Sequence, residues 1–186
     1  MARRKTYITR RLVIRPLRLS DHSAWLAALD ACLPKQNKFD FDASIATRRL
    51  PAKFRQAVKS QNRVAKKDLS YIWNIFHRHS GELLGWIDIS TIRREVYNAA
   101  NFGYFIFNNQ RGKGFGKEAA RRMVKAGFED LTFQRLEAAT DLDNKRSIAL
   151  AKSVGLFDEG IKKHYLFQNN RWQDQRIFIA VPELFR

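Results

Sequence analysis

One cysteine, Cys32, in a chain of 186 residues leaves no partner for an internal disulfide and no multi-cysteine metal site. Cys32 itself is expected as a half-buried helix residue. No run approaches the roughly 18 uninterrupted apolar residues of a membrane span. The opening "MARRKTYITRRLVIRP" is basic but has no apolar h-region, so no secretory signal and a cytoplasmic protein are expected. Internal repeats, linkers and low-complexity segments are missing too. The four histidines, His22, His77, His79 and His164, show no ligand spacing beyond His77 and His79. Those two read as paired surface positions on one side of a strand, and no metal is expected. Acidic residues are the scarcest class relative to their counterparts: 18 Asp and Glu stand against 35 Lys and Arg, for a formal charge of +17.

That charge is clustered. Residues 1–18 hold seven Arg or Lys and no acid, and residues 43–67 hold eight and no acid. A field of this sign attracts polyanions such as nucleic acid, a ribosome or a phosphorylated cofactor. With 45% hydrophobic residues the chain can bury an ordinary core, and its length suits one domain over 1–186.

Periodicity gives a coarse map. "RLVIRPL" (11–17) alternates as a strand, with Pro16 suggesting an edge. Ser20 is placed to cap a helix over "DHSAWLAALDACL". The helical pattern "ASIATRRLPAKFRQAVKSQ" is interrupted at Pro51, which predicts a kink or two short helices. "LSYIWNIFHR" and "ELLGWIDISTI" read as a hairpin, and "ANFGYFIF" as a further strand. A helix is predicted over 114–129, where Phe115, Ala119, Met123 and Gly127 recur every four residues. "FQRLEAAT" follows as a strand, "NKRSIALAKSVG" as a short helix ending at Gly155, and a last hairpin turns at Asn169–Asn170. The pattern is α+β with a mixed sheet.

Between the strand "FGYFIF" and the helix at 114 lies "NNQRGKGFG". Backbone N–H groups at a helix start lack intrahelical partners and carry the positive end of its dipole. Glycines let phosphate oxygens approach them, and Arg111, Lys113 and Lys117 add charge, so a pyrophosphate is the natural ligand. A dinucleotide fingerprint fails because Lys117 stands where its third glycine belongs. A Walker loop fails at Arg111 and Glu118.

Arg111-Gly112-Lys113-Gly114-Phe115-Gly116 does match Arg/Gln-x-x-Gly-x-Gly/Ala, the acetyl-CoA loop of the GNAT acetyltransferases. The chain resembles the RimJ/RimL branch, which acetylates N-termini of ribosomal proteins. The likeness runs nearly end to end through "TRRLVIRPLRLSD", "GWIDIS", "FGYFIF", "GKGFGKEA", "NKRSIALAKSVGLFDEG" and "HYLFQNNRWQD". It implies a single-domain GNAT fold, with a mixed, mostly antiparallel sheet flanked by helices and strands splayed around acetyl-CoA.

Residue roles follow from the resemblance. Phe105, Ile106 and Phe107 would present backbone groups to the pantetheine arm. The backbone of Arg111, Gly112, Lys113, Gly114, Phe115, Gly116 and Lys117 would hold the pyrophosphate. Asn144 would bond the pantetheine arm while also capping its helix, with Ser147 lining the far end. Glu118 matches the family's Glu-Ala pair and reads as structural. Two departures stand out: Ala151 replaces the Tyr general acid of many members, and Asn101 replaces an acid at the start of the strand before the loop. Asp88, Ser90, Tyr104 and Tyr165 are the remaining candidates for proton transfer.

The absence of an obvious strong base bears on the acceptor. An α-amine titrates near ~8 and a lysine near ~10.4, so at neutral pH the α-amine is neutral a few hundred times more often, a difference above ~3 kcal/mol. A weakly basic site suits a peptide N-terminus. Acetylation of a small-molecule amine is the enzymatic alternative, with Asp40, Asp42 and Asp88 as candidate acids for its pocket. A catalytically weak domain that binds nucleic acid or a ribosome through the clusters at 1–18 and 48–67 is the non-enzymatic one.

Overall fold

A computed structural model describes residues 5–42 and 49–185. Eight strands form one sheet in the order β1-β2-β3-β4-β5-β6-β8-β7. They are β1 (Tyr7–Ile8), β2 (Leu12–Arg15), β3 (Ser70–His77), β4 (Leu83–Arg93), β5 (Ala99–Ile106), β6 (Arg135–Asp141), β7 (Phe157–Gln168) and β8 (Arg171–Ala180). Four α-helices accompany them among the described residues: α1 (His22–Asp30), α2 (Pro51–Lys66), α3 (Phe115–Glu129) and α4 (Lys145–Val154). The sheet is mixed and mostly antiparallel, with β5 and β6 as its parallel pair. The α+β class read from the pattern stands. No helix among the described residues is long and apolar enough to cross a membrane.

The chain divides into two compact units, one of residues 1–88 and 104–122, the other of 89–103 and 123–186. The first is built on an aromatic core. Trp25 and Leu29 of α1, Phe54 and Val58 of α2, and Phe76, Leu83 and Phe107 are all buried. Each such side chain contributes roughly 1.5–3 kcal/mol by leaving water. Arg15 closes β2 with a fork onto Asp21, at 2.7 and 2.8 Å, and Asp21 also accepts from the Arg18 N–H.

The second unit is mainly aliphatic, with a few buried phenylalanines. Met123, Val124 and Ala126 of α3, Leu136 and Ala138 of β6, Ala151 and Val154 of α4, and Ile177 and Phe178 of β8 are buried. A Cβ at Gly127 would stand 2.7 Å from Leu136 Cδ1, so the glycine lets α3 lie close on the sheet. The chain ends its strands in a hairpin whose corner residues Asn169 and Asn170 have φ of 54° and 56°, the pair of left-handed positions a type I′ turn requires. Gly155, at φ 97°, ends α4 as expected.

Four local readings are corrected. Pro16 does not mark an edge: β1 pairs with β2, so β2 has neighbours on both sides, and Pro16 lies one residue past its end, where no ladder bond is needed. Asp21 rather than Ser20 precedes α1, because its carboxylate is taken by Arg15 and by a short 3₁₀ turn over Leu19–Asp21. Pro51 breaks nothing; it opens α2 at the first helical position, where its missing N–H is harmless. The part of that reading over 43–48 lies outside the described residues. Cys32 is half-buried, but just beyond α1, which ends at Asp30.

Candidate functional site

The loop after β5 is shaped by its own backbone. Phe107 N–H donates to Leu84 O at 3.0 Å, and Gln110 N–H to Phe107 O at 2.9 Å, closing a 3₁₀ turn over Asn108–Gln110. Gly112 and Gly114 then take left-handed φ values of 76° and 79°, and α3 starts at Phe115. The first N–H of the helix to find a carbonyl is that of Glu118, which reaches Gly114 O at 3.2 Å. Among the described residues, the amides from Gly112 to Lys117 donate to no protein acceptor. Six consecutive open donors at the positive end of a fifteen-residue helix form an anion cradle.

Side chains brace this loop from behind. Glu118 accepts from the Thr9 hydroxyl at 2.6 Å, from the Arg11 N–H at 2.9 Å and from Arg11 Nε at 2.7 Å. Arg11 Nη1 donates onward to Lys113 O at 2.9 Å, and its guanidinium lies over the Phe115 ring, 4.7 Å from the centroid. Burial pushes the Glu118 carboxyl up, but the bonds from Thr9 and Arg11 outweigh it and hold the group below the ordinary carboxylate range. On the other flank Arg111 Nη1 reaches Asp40 Oδ1 at 2.5 Å and Arg111 Nε reaches Ile106 O at 3.0 Å. Asp40 has no exposed side-chain surface. Desolvation raises its pKa, and the bonds from Arg111, the Gln36 N–H and Asn108 more than reverse that. Asn108 also ties the loop to the segment after α1, accepting from Leu33 N–H and donating to Leu33 O, both at 2.8 Å.

The residues anticipated for the cofactor therefore fall into distinct groups. Gly112, Lys113, Gly114 and Lys117 are exposed, with Gly116 half-buried and Phe115 buried beneath them. The Arg111 guanidinium is bound to Asp40 and Ile106 O, so it fixes the loop from within, and the Arg111 N–H is directed at Asn108 O at 3.5 Å. Asp40 balances Arg111 at the loop's base and is buried, while Asp42 is half-buried. Of the strand groups, Phe107 N–H and Ile106 C=O are already engaged inside the protein. By strand alternation the Ile106 N–H turns to the opposite edge of β5 from Phe107.

The parallel ladder pairs Ala99 with Arg135, Ala100 with Leu136 and Asn101 with Glu137, and stops there. Yet β5 runs on to Ile106 and β6 to Asp141.

In the second unit Asn144 caps α4, its Oδ1 accepting from Ser147 N–H at 3.1 Å. Ser147 is half-buried on the first turn of that helix. Ala151 is fully buried in the same helix, so the position that carries Tyr elsewhere here only packs.

The proton-transfer candidates are scattered. Asp88 and Ser90 are half-buried and share one face of β4 with Trp86, whose ring stacks on Phe105 at 4.2 Å. Tyr104 is half-buried on β5, on the face opposite Phe105. Tyr165 sits in the irregular stretch of β7 between Lys162 and Leu166, with Lys162 Nζ 5.1 Å from its ring centroid. Among the described residues no group of three or more His, Cys, Asp or Glu is placed to hold a metal. The braces Arg11, Asp40 and Asn108 escaped sequence reading as loop supports. Only Arg11 carried a signal, inside "TRRLVIRP", and nothing in the chain's spacing links it to Glu118, 107 residues away.

Residues 11–156 match the family model described as "Acetyltransferase (GNAT) domain". The protein named "Probable N-acetyltransferase YjcK" from Bacillus subtilis is 30% identical over 112 residues, 60% of this chain and 62% of that one. The [ribosomal protein uS5]-alanine N-acetyltransferase of Escherichia coli is 27% identical over 113 residues, covering 61% of this chain and 58% of its own. The chain spans about six tenths of the length of the curated relatives it matches. In three dimensions Mycobacterium smegmatis RimJ, solved in complex with CoA-disulfide, superposes with a TM-score of 0.74 at 23% identity, over 92% of this chain and 82% of that one. That last likeness is one of fold.

Proposed function

Because the chain belongs to the GNAT acetyltransferase family, we propose that it moves an acetyl group from acetyl-CoA directly to an amine, and that the amine is the N-terminal α-amine of a ribosomal protein. The whole of 1–186 acts in this reading as one cytoplasmic acetyltransferase domain. The observation that carries it is the row of open amides from Gly112 to Lys117. A Cβ built at Gly112 meets nothing within 4 Å, so the turn presents bare backbone to its ligand. A diphosphate fits this donor set, with Lys113 and Lys117 exposed on the same turn.

When bound, acetyl-CoA supplies the thioester that is attacked and the thiolate that leaves. The loop amides hold the diphosphate, and the Ile106 N–H on the open edge of β5 orients the arm beyond it. Asn144 and Ser147 would meet the same arm. A neutral amine attacks the acetyl carbon, and an N–H of the β5 edge stabilises the oxygen as negative charge develops there. Asp88 or Ser90 on β4 then accepts the amine's surplus proton, while Tyr104 and Tyr165 are the candidates for protonating the sulfur. Such modest bases suffice for an α-amine, which is substantially neutral near pH 8. Relatives named [ribosomal protein uS5]-alanine N-acetyltransferase support the acceptor class.

The test is an acetyl-transfer screen with peptides bearing free N-termini, matched peptides with only internal lysines, and small amines including polyamines. Free N-termini should react fastest. Faster transfer to internal lysines or to a small amine would overturn the acceptor class.

A further inference from the structure

We propose that helix α2 is a docking face for double-stranded RNA. Its inner side is a conventional anchor: Phe54, Val58 and Ala65 are buried, and Phe54 meets the rings of His22 and Trp25 at 4.9 and 6.2 Å. Every charged side chain on its outer side is a cation. Lys53, Arg55, Lys59, Arg63 and Lys66, with Lys67 just past the end, are exposed, and none has an ion-pair partner among the described residues. The helix carries no Asp or Glu of its own to pair with them.

The arrangement works against the helix itself. Arg55, Lys59, Arg63 and Lys66 recur at i, i+4, i+8 and i+11, so like charges face each other on successive turns. The first turn carries cations and no acid, the reverse of what the helix dipole favours. Arg63 and Lys66 lie in the last turn, where the dipole favours cations, but helix stability gives no reason for Lys53, Arg55 and Lys59, and a polyanionic partner does.

The geometry selects the kind of polyanion. A rise of about 1.5 Å per residue spaces the ridge charges at about 6 Å over roughly 16 Å. That regular row suits a phosphate backbone, whose charges repeat evenly, better than the irregular carboxylates of an acidic protein. The outer face carries no aromatic, since Phe54, the helix's single aromatic, points inward. Without a stacking platform for splayed bases, the face reads backbone and shape, which is the duplex mode of recognition. The choice of RNA over DNA rests on the proposed acceptor, a ribosomal protein, whose natural surroundings are RNA helices.

The test is fluorescence anisotropy of the full chain with a 20-base-pair RNA duplex, the matching DNA duplex and polyglutamate, between 50 and 300 mM salt. The RNA duplex should bind, with log affinity falling linearly in log salt. The quadruple variant Arg55→Gln, Lys59→Gln, Arg63→Gln, Lys66→Gln should lose at least tenfold in affinity and flatten the salt slope by about three. It should melt no lower than the natural protein, since like-charge repulsion along the helix is relieved, and keep its acetyl transfer to a short free peptide. The pair Arg55→Gln, Lys59→Gln supplies the same reading at half the effect. No RNA binding, or equal binding by the quadruple variant, overturns the proposal. Equal or tighter binding of DNA or of polyglutamate overturns the assignment to RNA. Since the RNA measurement needs no turnover, failure of the acetyl-transfer screen would leave its outcome intact, and the reverse holds.

Discussion

Gly112 and Gly114 are where single atoms decide the loop. Both hold left-handed φ values, which cost an L-residue about 1–2 kcal/mol. At Gly112 an added methyl meets nothing, so Gly112→Ala is expected to lose about 1 kcal/mol in a urea melt through backbone strain alone. At Gly114 the same methyl lies 3.2 Å from Arg11 Nη2, so Gly114→Ala should lose more, and weaken coenzyme A binding by disturbing the brace. Glu118 adds a pH signature. Its folded pKa lies below the ordinary 4.5, held there against burial by Thr9 and Arg11. A depressed folded pKa gives stabilisation that is complete above the unfolded pKa and disappears as pH falls through the folded one. Glu118→Gln should therefore cost about 1.5–3 kcal/mol at pH 7, with the gap to the natural protein closing below pH 4 in denaturant melts.

Strand β4 and its neighbour make the sharpest element-scale case. At Gly85 a Cβ would sit 2.0 Å from Phe105 O and 2.9 Å from Ile106 Cα, so the backbones approach too closely for any side chain. Gly85→Ala has to force them apart, at a cost of about 3 kcal/mol. It should also displace Phe107 N–H from Leu84 O, visible as faster amide exchange at Phe107. Most elements were legible because their apolar positions recur with clear periods, as on α3 and β4. The glycine loop was legible because its spacing excludes other phosphate loops. What escaped was set by distant partners. Strand β1 is two residues long and exists by pairing with Ile14 and Val13. The bond from the Arg111 guanidinium to Asp40, 71 residues away, is one such contact that no local pattern announces. Pro51 reads equally as a breaker or a starter, and the choice depends on the core that Phe54 and Val58 enter.

For the whole molecule the dominant quantity is charge. Asp21, Asp40, Glu118, Glu137 and Asp158 all have depressed pKa values. At Asp158 the Arg176 bond is the main cause, and at the other four hydrogen bonds and cations outweigh desolvation. Each contributes stability that is lost on the acid side, and their protonation leaves the excess of Lys and Arg unopposed. The chain should hold its melting temperature from pH 7 down to about 5 and drop steeply below 4, and added salt should soften that drop. The proposed acetyl transfer hangs on the open amides of one turn. The direct test is a titration of the isotopically labelled protein with coenzyme A, following backbone amide resonances. The account predicts shifts concentrated at Gly112, Lys113, Gly114, Phe115, Gly116 and Lys117, at ligand concentrations that also raise the melting temperature. Binding that leaves these amides unmoved, or no binding at all, would contradict it.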